Sequence, residues 1–235
     1  MAWQMKAVVL AAGQGKRMQP LTNDRPKALV ELKGKPLLQH VLESLEKAGV
    51  EETIIVVGFL AEMVKAKFGK KLGKMKLGYV EQRIPMGTAH ALLQARKKIR
   101  GKQRFLVAST DVIVPAELWK SLAAKKGFDA VVALREEEHP ESFGIALVSG
   151  KKLEQIVEKP LGKIESNLVN AGCYAFSEKI FPALKKTKIG ERGEFELTDA
   201  INALAAKKKA GFVLHKGKYL DIGTIEDLEA AEKNL

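Results

Sequence analysis

The stretch Lys6-Ala7-Val8-Val9-Leu10-Ala11-Ala12-Gly13-Gln14-Gly15-Lys16-Arg17-Met18 decides the fold class. From Lys6 to Leu10 it is apolar and β-branched without alternation, the pattern of a strand buried on both faces. A glycine-rich loop follows, and such a loop at a strand's carboxyl end brings backbone N–H groups close to phosphate oxygens. The small Ala11 and Ala12 leave room for a nucleotide to lie against the chain. The loop is neither a dinucleotide fingerprint nor a P-loop. Met18 stands where the first needs a third glycine, and the Gly-Lys-Ser/Thr of the second is missing.

Outward from this segment, short apolar runs alternate with amphipathic ones. Leu37, Leu38, Val41, Leu42 and Leu45 predict one buried face of a helix from Pro36 to Lys47, which Gly49 closes. Strands are expected at Thr53–Val57, Lys76–Glu81 and Arg104–Ala108, with helices at Leu60–Phe68 and Gly87–Ile99 between them. Beyond Asp111 the pattern predicts a helix at Pro115–Lys125 and strands at Asp129–Leu134 and Asn170–Phe176. Phe143–Val157 reads as two shorter strands turning at Ser149-Gly150, and helices follow at Glu196–Ala206 and Ile225–Lys233. This alternation argues for an α/β fold whose predominantly parallel sheet is covered on both faces. One domain over residues 1–235 is expected, with a nucleotide-binding half at about 1–112 and a substrate half at about 113–235.

Composition narrows the classes. The chain has 235 residues, 46% of them hydrophobic, which is enough to bury a sizeable core. No apolar stretch approaches the ~20 residues that span a bilayer. No secretory leader is recognisable, so cytoplasmic residence without membrane association is expected. A single cysteine, Cys173, excludes an internal disulfide framework. The net charge of +12 would suit a polyanionic partner. Its lysines are scattered, however, and aromatic residues are too few to interleave with them, so no specific nucleic-acid partner is expected. A phosphate-rich small substrate suits a basic protein equally.

Candidate site residues come from four segments. Downstream of the loop, Arg17 can grip phosphate oxygens in a bidentate fork, while Lys27 in Arg25-Pro26-Lys27 supplies a compact charge. Gln82 carries both a donor and an acceptor and can read the edge of uracil or thymine. It precedes Gly87-Thr88-Ala89, where Gly87 lets a base approach the backbone. His90 reads as a packed helix residue. Asp111, directly after the Arg104–Ala108 strand, is placed to hold Mg²⁺, a hard cation that prefers oxygen ligands. The last segment is Tyr219-Leu220-Asp221-Ile222-Gly223-Thr224.

Taken together, GQGKRM, PLT and RPK at residues 13–27 resemble the signature of nucleotidyltransferases that act on sugar 1-phosphates. Further likenesses recur almost to residue 235. The resemblance implies a Rossmann-like, three-layer nucleotide-diphospho-sugar transferase fold. It implies nucleotide contacts from Leu10, Ala11, Ala12, Gly13, Gly15, Gln82, Gly87 and Thr88. Sugar-phosphate contacts are implied for Gly144, Glu158, Lys159 and Asn170, with Lys159 neutralising the phosphate alongside Arg17 and Lys27 in catalysis. Asp221 is implied as a second Mg²⁺ ligand with Asp111. Thr110 departs from the glycine usual in the family, which puts sugar-side contacts there in doubt. The implied partners are a pyrimidine nucleoside triphosphate, UTP or dTTP, and a sugar 1-phosphate; self-association into a homo-oligomer stays open. Residues beyond the LDIGT segment are too few for the C-terminal β-helix that some relatives carry. A cytidylyltransferase for a non-sugar alcohol phosphate and a non-catalytic sensor are the remaining alternatives.

Overall fold

A computed structural model describes residues 5–99, 104–160, 162, 164–190 and 193–234. The first four residues and the last of the expected 1–235 unit lie outside that set. Ten strands form the main sheet: β1 (Lys6–Ala11), β2 (Glu52–Val57), β3 (Lys71–Leu72), β4 (Met75–Glu81), β5 (Phe105–Ser109), β6 (Ala130–Glu136), β7 (Gly144–Ser149), β8 (Lys152–Glu158), β9 (Leu168–Phe176) and β10 (Ala210–Leu214). Their order across the sheet is β7-β8-β10-β6-β9-β5-β1-β2-β4-β3. Parallel pairing runs unbroken through β5, β1, β2 and β4. β9 then enters antiparallel between β5 and β6, and β7 and β8 form the expected hairpin. The sheet is therefore mixed, parallel in its first half and largely antiparallel beyond β5.

Period-two alternation in β1 explains the unbroken apolar run. Ala7, Val9 and Ala11 face one layer, and Val8 faces the other. On the first face lie α1 (Leu37–Lys47), α2 (Ala61–Phe68) and α4 (Ala116–Ala124), which contribute Leu38, Val41, Leu42, Val64, Leu118 and Trp119. On the second lie α3 (Thr88–Gln94), α5 (Ile180–Leu184) and α6 (Leu197–Ala205), with Leu92, Phe181, Ile201 and Leu204 among their buried residues. The result is the expected three-layer arrangement. α3 is shorter than its sequence pattern, ending at Gln94 and passing into a 3-10 turn at Ala95–Lys97. No helix among the described residues is long and apolar enough to cross a membrane.

A third, smaller cluster joins Met18, Val30, Leu32 and Leu37 to Ile222 and to Leu228 and Ala231 of α7 (Ile225–Asn234). The methionine that breaks the dinucleotide fingerprint is thus an anchor, fully buried beneath the loop it ends. Burying such side chains contributes ~1.5–3 kcal/mol each.

A polar seam crosses the first layer. Trp119 Nε1 donates to Ser44 Oγ at 3.0 Å, and Ser44 Oγ donates to the Val114 carbonyl at 2.5 Å. Trp119→Ala would leave a large cavity and strip the Ser44 hydroxyl of its donor, so urea unfolding should show a loss of about 3–5 kcal/mol.

Candidate functional site

Because β1, β5 and β2 run parallel, their carboxyl ends open on one edge, and the chain leaves β1 through α1 on one face but enters β5 through α3 on the other. That reversal makes a crevice, the usual ligand position in such sheets. Loop 12–17 after β1 and Thr110-Asp111 after β5 emerge there, tied by the Thr110 amide donating to the Leu10 carbonyl at 3.2 Å. The crevice is a cleft of about 450 Å³. Its lining includes the expected Leu10, Ala12, Gly13, Gly15, Arg17, Lys27, Gln82, Gly87, Thr88 and Asp111, and also Gln14, Lys16, Pro85, Ala91, Ser109, Thr110, Glu194 and Gly223. Ala11 is not in the lining, since its side chain belongs to the opposite layer.

The loop's shape follows from its motif. Gly15 has φ +67°, the left-handed region, and a Cβ there would lie 3.0 Å from both Lys27 Cβ and Thr22 Cγ2. Thr22 Oγ1 donates to the Gly15 carbonyl at 2.9 Å. The PLT and RPK segments therefore hold the glycine loop closed by contact. Arg17 is exposed, its guanidinium beside Gly223, where a Cβ would sit 3.2 Å from Nη2.

Asp111 lines one end of the cleft, whereas Asp221 is not in its lining. Lys27 is 7% exposed, and its Nζ donates to Asp111 Oδ2 at 2.6 Å. A short ribbon pairs Val112 with Asp221 and Ile113 with Leu220, and the Ile222 amide donates to the Asp111 carbonyl at 3.0 Å. The two aspartates, 110 residues apart by their numbers, are thereby brought side by side. Burial pushes the Asp221 carboxyl up to about 6, with the negative charge of Asp111 adding to the effect and Lys27 opposing it. Neither aspartate serves as a helix cap. α4 starts at Ala116 behind Pro115, without a side-chain cap. At the start of α7, Asp227 Oδ2 accepts from the Gly223 and Thr224 amides at 3.0 and 2.8 Å, and Thr224 Oγ1 accepts from the Asp227 amide at 3.2 Å. Two oxygen-only carboxylates with one lysine to offset them suit a hard divalent cation such as Mg²⁺.

At the other end, Gly87 has φ +94°, and a Cβ would fall 2.6 Å from the Phe195 carbonyl. The need for glycine here comes from the protein's own backbone rather than from an approaching base. Phe195 donates to the Met86 carbonyl, and Ala89 donates to the Phe195 carbonyl, each at 2.9 Å. Thr88 Oγ1 accepts from the Leu197 amide at 3.0 Å, so this hydroxyl joins α3 to α6. Gln82 is buried, with Nε2 donating to the Gly87 carbonyl at 3.0 Å and facing His90 Nδ1 at 2.9 Å.

The expected sugar-side residues lie outside the cleft lining. Gly144 faces Glu158 across the β7–β8 hairpin, where a Cβ would come within 2.9 Å of Glu158 Oε1. Lys159 is exposed with φ +40°, a strained value for a non-glycine residue, and its amide donates to the Phe143 carbonyl at 3.1 Å. Asn170 Nδ2 donates to the Tyr174 hydroxyl at 2.9 Å, and its Oδ1 accepts from the Gly172 amide at 3.1 Å. Asn170 thus braces the β9 irregularity whose Gly172 lies against Ser109. Burial raises the Tyr174 hydroxyl, and the nearby Glu158 and Glu196 raise it further, linking the hairpin to the segment that carries Glu194. Thr110 is buried, and its hydroxyl has no hydrogen-bond partner among the described residues.

This arrangement defines a nucleotide-handling α/β protein. Residues 6–235 match the nucleotidyl transferase family model, and the chain belongs to that family. It is 38% identical over 232 residues to the bifunctional protein GlmU of Methanocaldococcus jannaschii, covering 98% of this chain and 54% of that relative. The chain thus spans about half the length of the GlmU relatives it matches. It is 34% identical to the UTP–glucose-1-phosphate uridylyltransferase AglF of Haloferax volcanii, covering 98% of this chain and 96% of AglF. A UDP-glucose pyrophosphorylase solved with UDP-glucose superposes with a TM-score of 0.88 at 27% identity, covering 99% and 98% of the two chains. A putative glucose-1-phosphate thymidylyltransferase from Bacillus anthracis, solved with a sucrose, gives 0.87 at 27% identity over 98% and 94%.

The raised Asp221 has a consequence for stability. A carboxyl raised from 3.8 in the unfolded chain to about 6 contributes its full stability below about pH 4, and loses it as pH rises through 6. Above that, the ionised pair costs on the order of 2–3 kcal/mol. Asp221→Asn should therefore raise the urea midpoint of metal-free protein near pH 8 and leave it almost unchanged near pH 4. Magnesium should stabilise the wild type but not the variant.

Proposed function

We propose that the chain transfers a nucleotidyl group from a pyrimidine nucleoside triphosphate, UTP or dTTP, to a sugar 1-phosphate, releasing pyrophosphate and forming a nucleotide sugar. One observation carries the reading. A single cleft holds a buried glutamine at one end and Arg17, Lys27 and Asp111 at the other, as a base and its phosphates require. The UDP-glucose bound by a structural neighbour and the uridylyltransferase named among the relatives support the substrate class.

In this reading a phosphate oxygen of the sugar 1-phosphate attacks the α-phosphorus in line with the departing pyrophosphate. One P–O bond forms there as the bond to the β-phosphate oxygen breaks. The attacking oxygen is already anionic, so no side-chain base is needed. Catalysis rests on positioning and charge neutralisation. Amides of the loop around Gly13 and Gly15 meet phosphate oxygens, and Arg17 grips the triphosphate from above Gly223. Lys27 has three donors and gives one to Asp111, keeping two for phosphate. Lys159 receives the incoming sugar phosphate, while Gly144, Glu158 and Asn170 meet the sugar. Asp111 and Asp221 would hold Mg²⁺, which when bound supplies positive charge to the phosphate oxygens. Both halves of the chain act as one domain.

The test is a matrix of UTP, dTTP, CTP, ATP and GTP against a panel of sugar 1-phosphates, read as pyrophosphate release with magnesium. Turnover is expected with UTP or dTTP, and Asp111→Ala should reduce it by roughly 100-fold or more. Absence of pyrophosphate from every pair would refute the reading. Ligand binding that survives in Asp111→Ala without any wild-type turnover would identify a sensor.

A further inference from the structure

The β7–β8 hairpin shares few ladder positions with the rest of the sheet. Registered pairs join it at Ile145–Val169 and Lys152–Gly211. Asn202 of α6 brackets its middle, exchanging hydrogen bonds of 2.8 Å with the Ile156 amide and carbonyl. The open end carries Gly144, Glu158 and Lys159, and there it meets a cation. Arg135, near the end of β6, has a side chain 14% exposed and an ion pair to Glu137. Its guanidinium carbon lies over the Phe143 ring at 4.8 Å and over the Tyr219 ring at 4.5 Å. Phe143 immediately precedes Gly144, and Tyr219 precedes the Leu220–Asp221 strand of the acidic ribbon. We propose that Arg135 is a positioning residue for the sugar-phosphate half of the site: it clamps the open end of the hairpin to the segment that carries Asp221. This deepens the nucleotidyl-transfer reading and rests on its placement of the sugar phosphate.

The rings are the contacts that hold the cation. Arg135 Nε is buried without a hydrogen-bond partner among the described residues, so Glu137 replaces only part of the hydration the guanidinium gives up. The negative faces of two aromatic rings supply further attraction, which grows as water is excluded. A flat guanidinium can lie over both, whereas an ammonium is a compact, strongly hydrated point charge. The clamp then passes along the backbone. The Phe143 carbonyl accepts from the Lys159 amide at 3.1 Å, holding Lys159 at φ +40°, a value that persists only where the surroundings impose it. On the other side, the Tyr219 hydroxyl donates to the Ala171 carbonyl at 3.4 Å, next to Asn170. One cation thus gathers the hairpin end, the Asn170 segment and the acidic ribbon. Arg135 is outside the cleft lining, so it acts through these neighbours.

Substitutions that keep bulk but remove the charge or a ring face separate clamping from packing. Arg135→Met, Phe143→Leu and Tyr219→Leu break the clamp, while Phe143→Tyr and Tyr219→Phe keep it. UDP-glucose and dTDP-glucose are titrated by calorimetry, with UTP and dTTP as probes of the nucleotide half alone. The thermal midpoint checks folding. In the three clamp-breaking variants the nucleotide sugar should bind roughly 10-fold more weakly, while the triphosphate binds as in wild type. The two variants that keep the rings should match wild type. Arg135→Met added to Phe143→Leu should cost little more than either alone. Folded clamp-breaking variants with undiminished nucleotide-sugar affinity, or with triphosphate affinity falling in step, would overturn the inference. Where Arg135→Met does not fold, the leucine variants decide. Arg135-dependent binding of a nucleotide sugar without pyrophosphate formation would uphold the inference while sinking the transfer reading. A wild type that binds neither nucleotide sugar overturns both.

Discussion

Two carboxylates that repel each other, Asp111 and Asp221, are held together by a ribbon of two residue pairs, and most of the remaining architecture serves that contact. The ribbon has too few hydrogen bonds to hold a like-charged pair alone. It is backed by Met18, Val30, Leu32, Leu37, Ile222 and Leu228, whose combined burial exceeds the few kcal/mol the repulsion costs. Lys27 offsets part of the charge from the same direction, and Gly15 is a glycine partly because Lys27 lies against it. The phosphate loop and the acidic centre are one mechanical unit.

The opposite end of the cleft is built by a different device. There Gly87-Thr88-Ala89 is zipped by backbone bonds onto residues 195–197, so the start of α3 and the start of α6 share one loop system. The result is a rigid frame around Gln82 whose dipoles are set before any ligand arrives. Preorganisation of this sort favours one ligand chemistry over its near neighbours without adding contacts.

Much of this was legible in the sequence, and for definable reasons. β1 and the amphipathic α1 carry strong periodic signals, and the loop segments resemble a family through residues whose spacing tolerates few alternatives. The strand Ala210–Leu214 and the helix Ile180–Leu184 were not anticipated, being five residues each, too short for a period to register. The antiparallel insertion of β9 was equally hidden, since strand direction depends on connections between distant segments. Among site residues, identity was readable but purpose was not. Thr88 spends its hydroxyl on an amide 109 residues away, and Lys27 its charge on a carboxylate 84 away. Gln82 looked like an unengaged reader because nothing in its neighbourhood announced that its amide nitrogen is given to the Gly87 carbonyl.

The seating of α7 against Met18 and of Gly223 beside Arg17 has a temporal side. A ribosome emits the glycine loop first and residues 220–231 some two hundred residues later. Until those residues arrive, Met18 has no roof, Arg17 no shelf, and Asp111 has Lys27 but not Asp221 beside it. The parallel half of the sheet can collapse early, yet the phosphate end takes shape only once residues 220–231 have followed. A nascent molecule therefore holds the parallel half of its sheet well before its centre of charge.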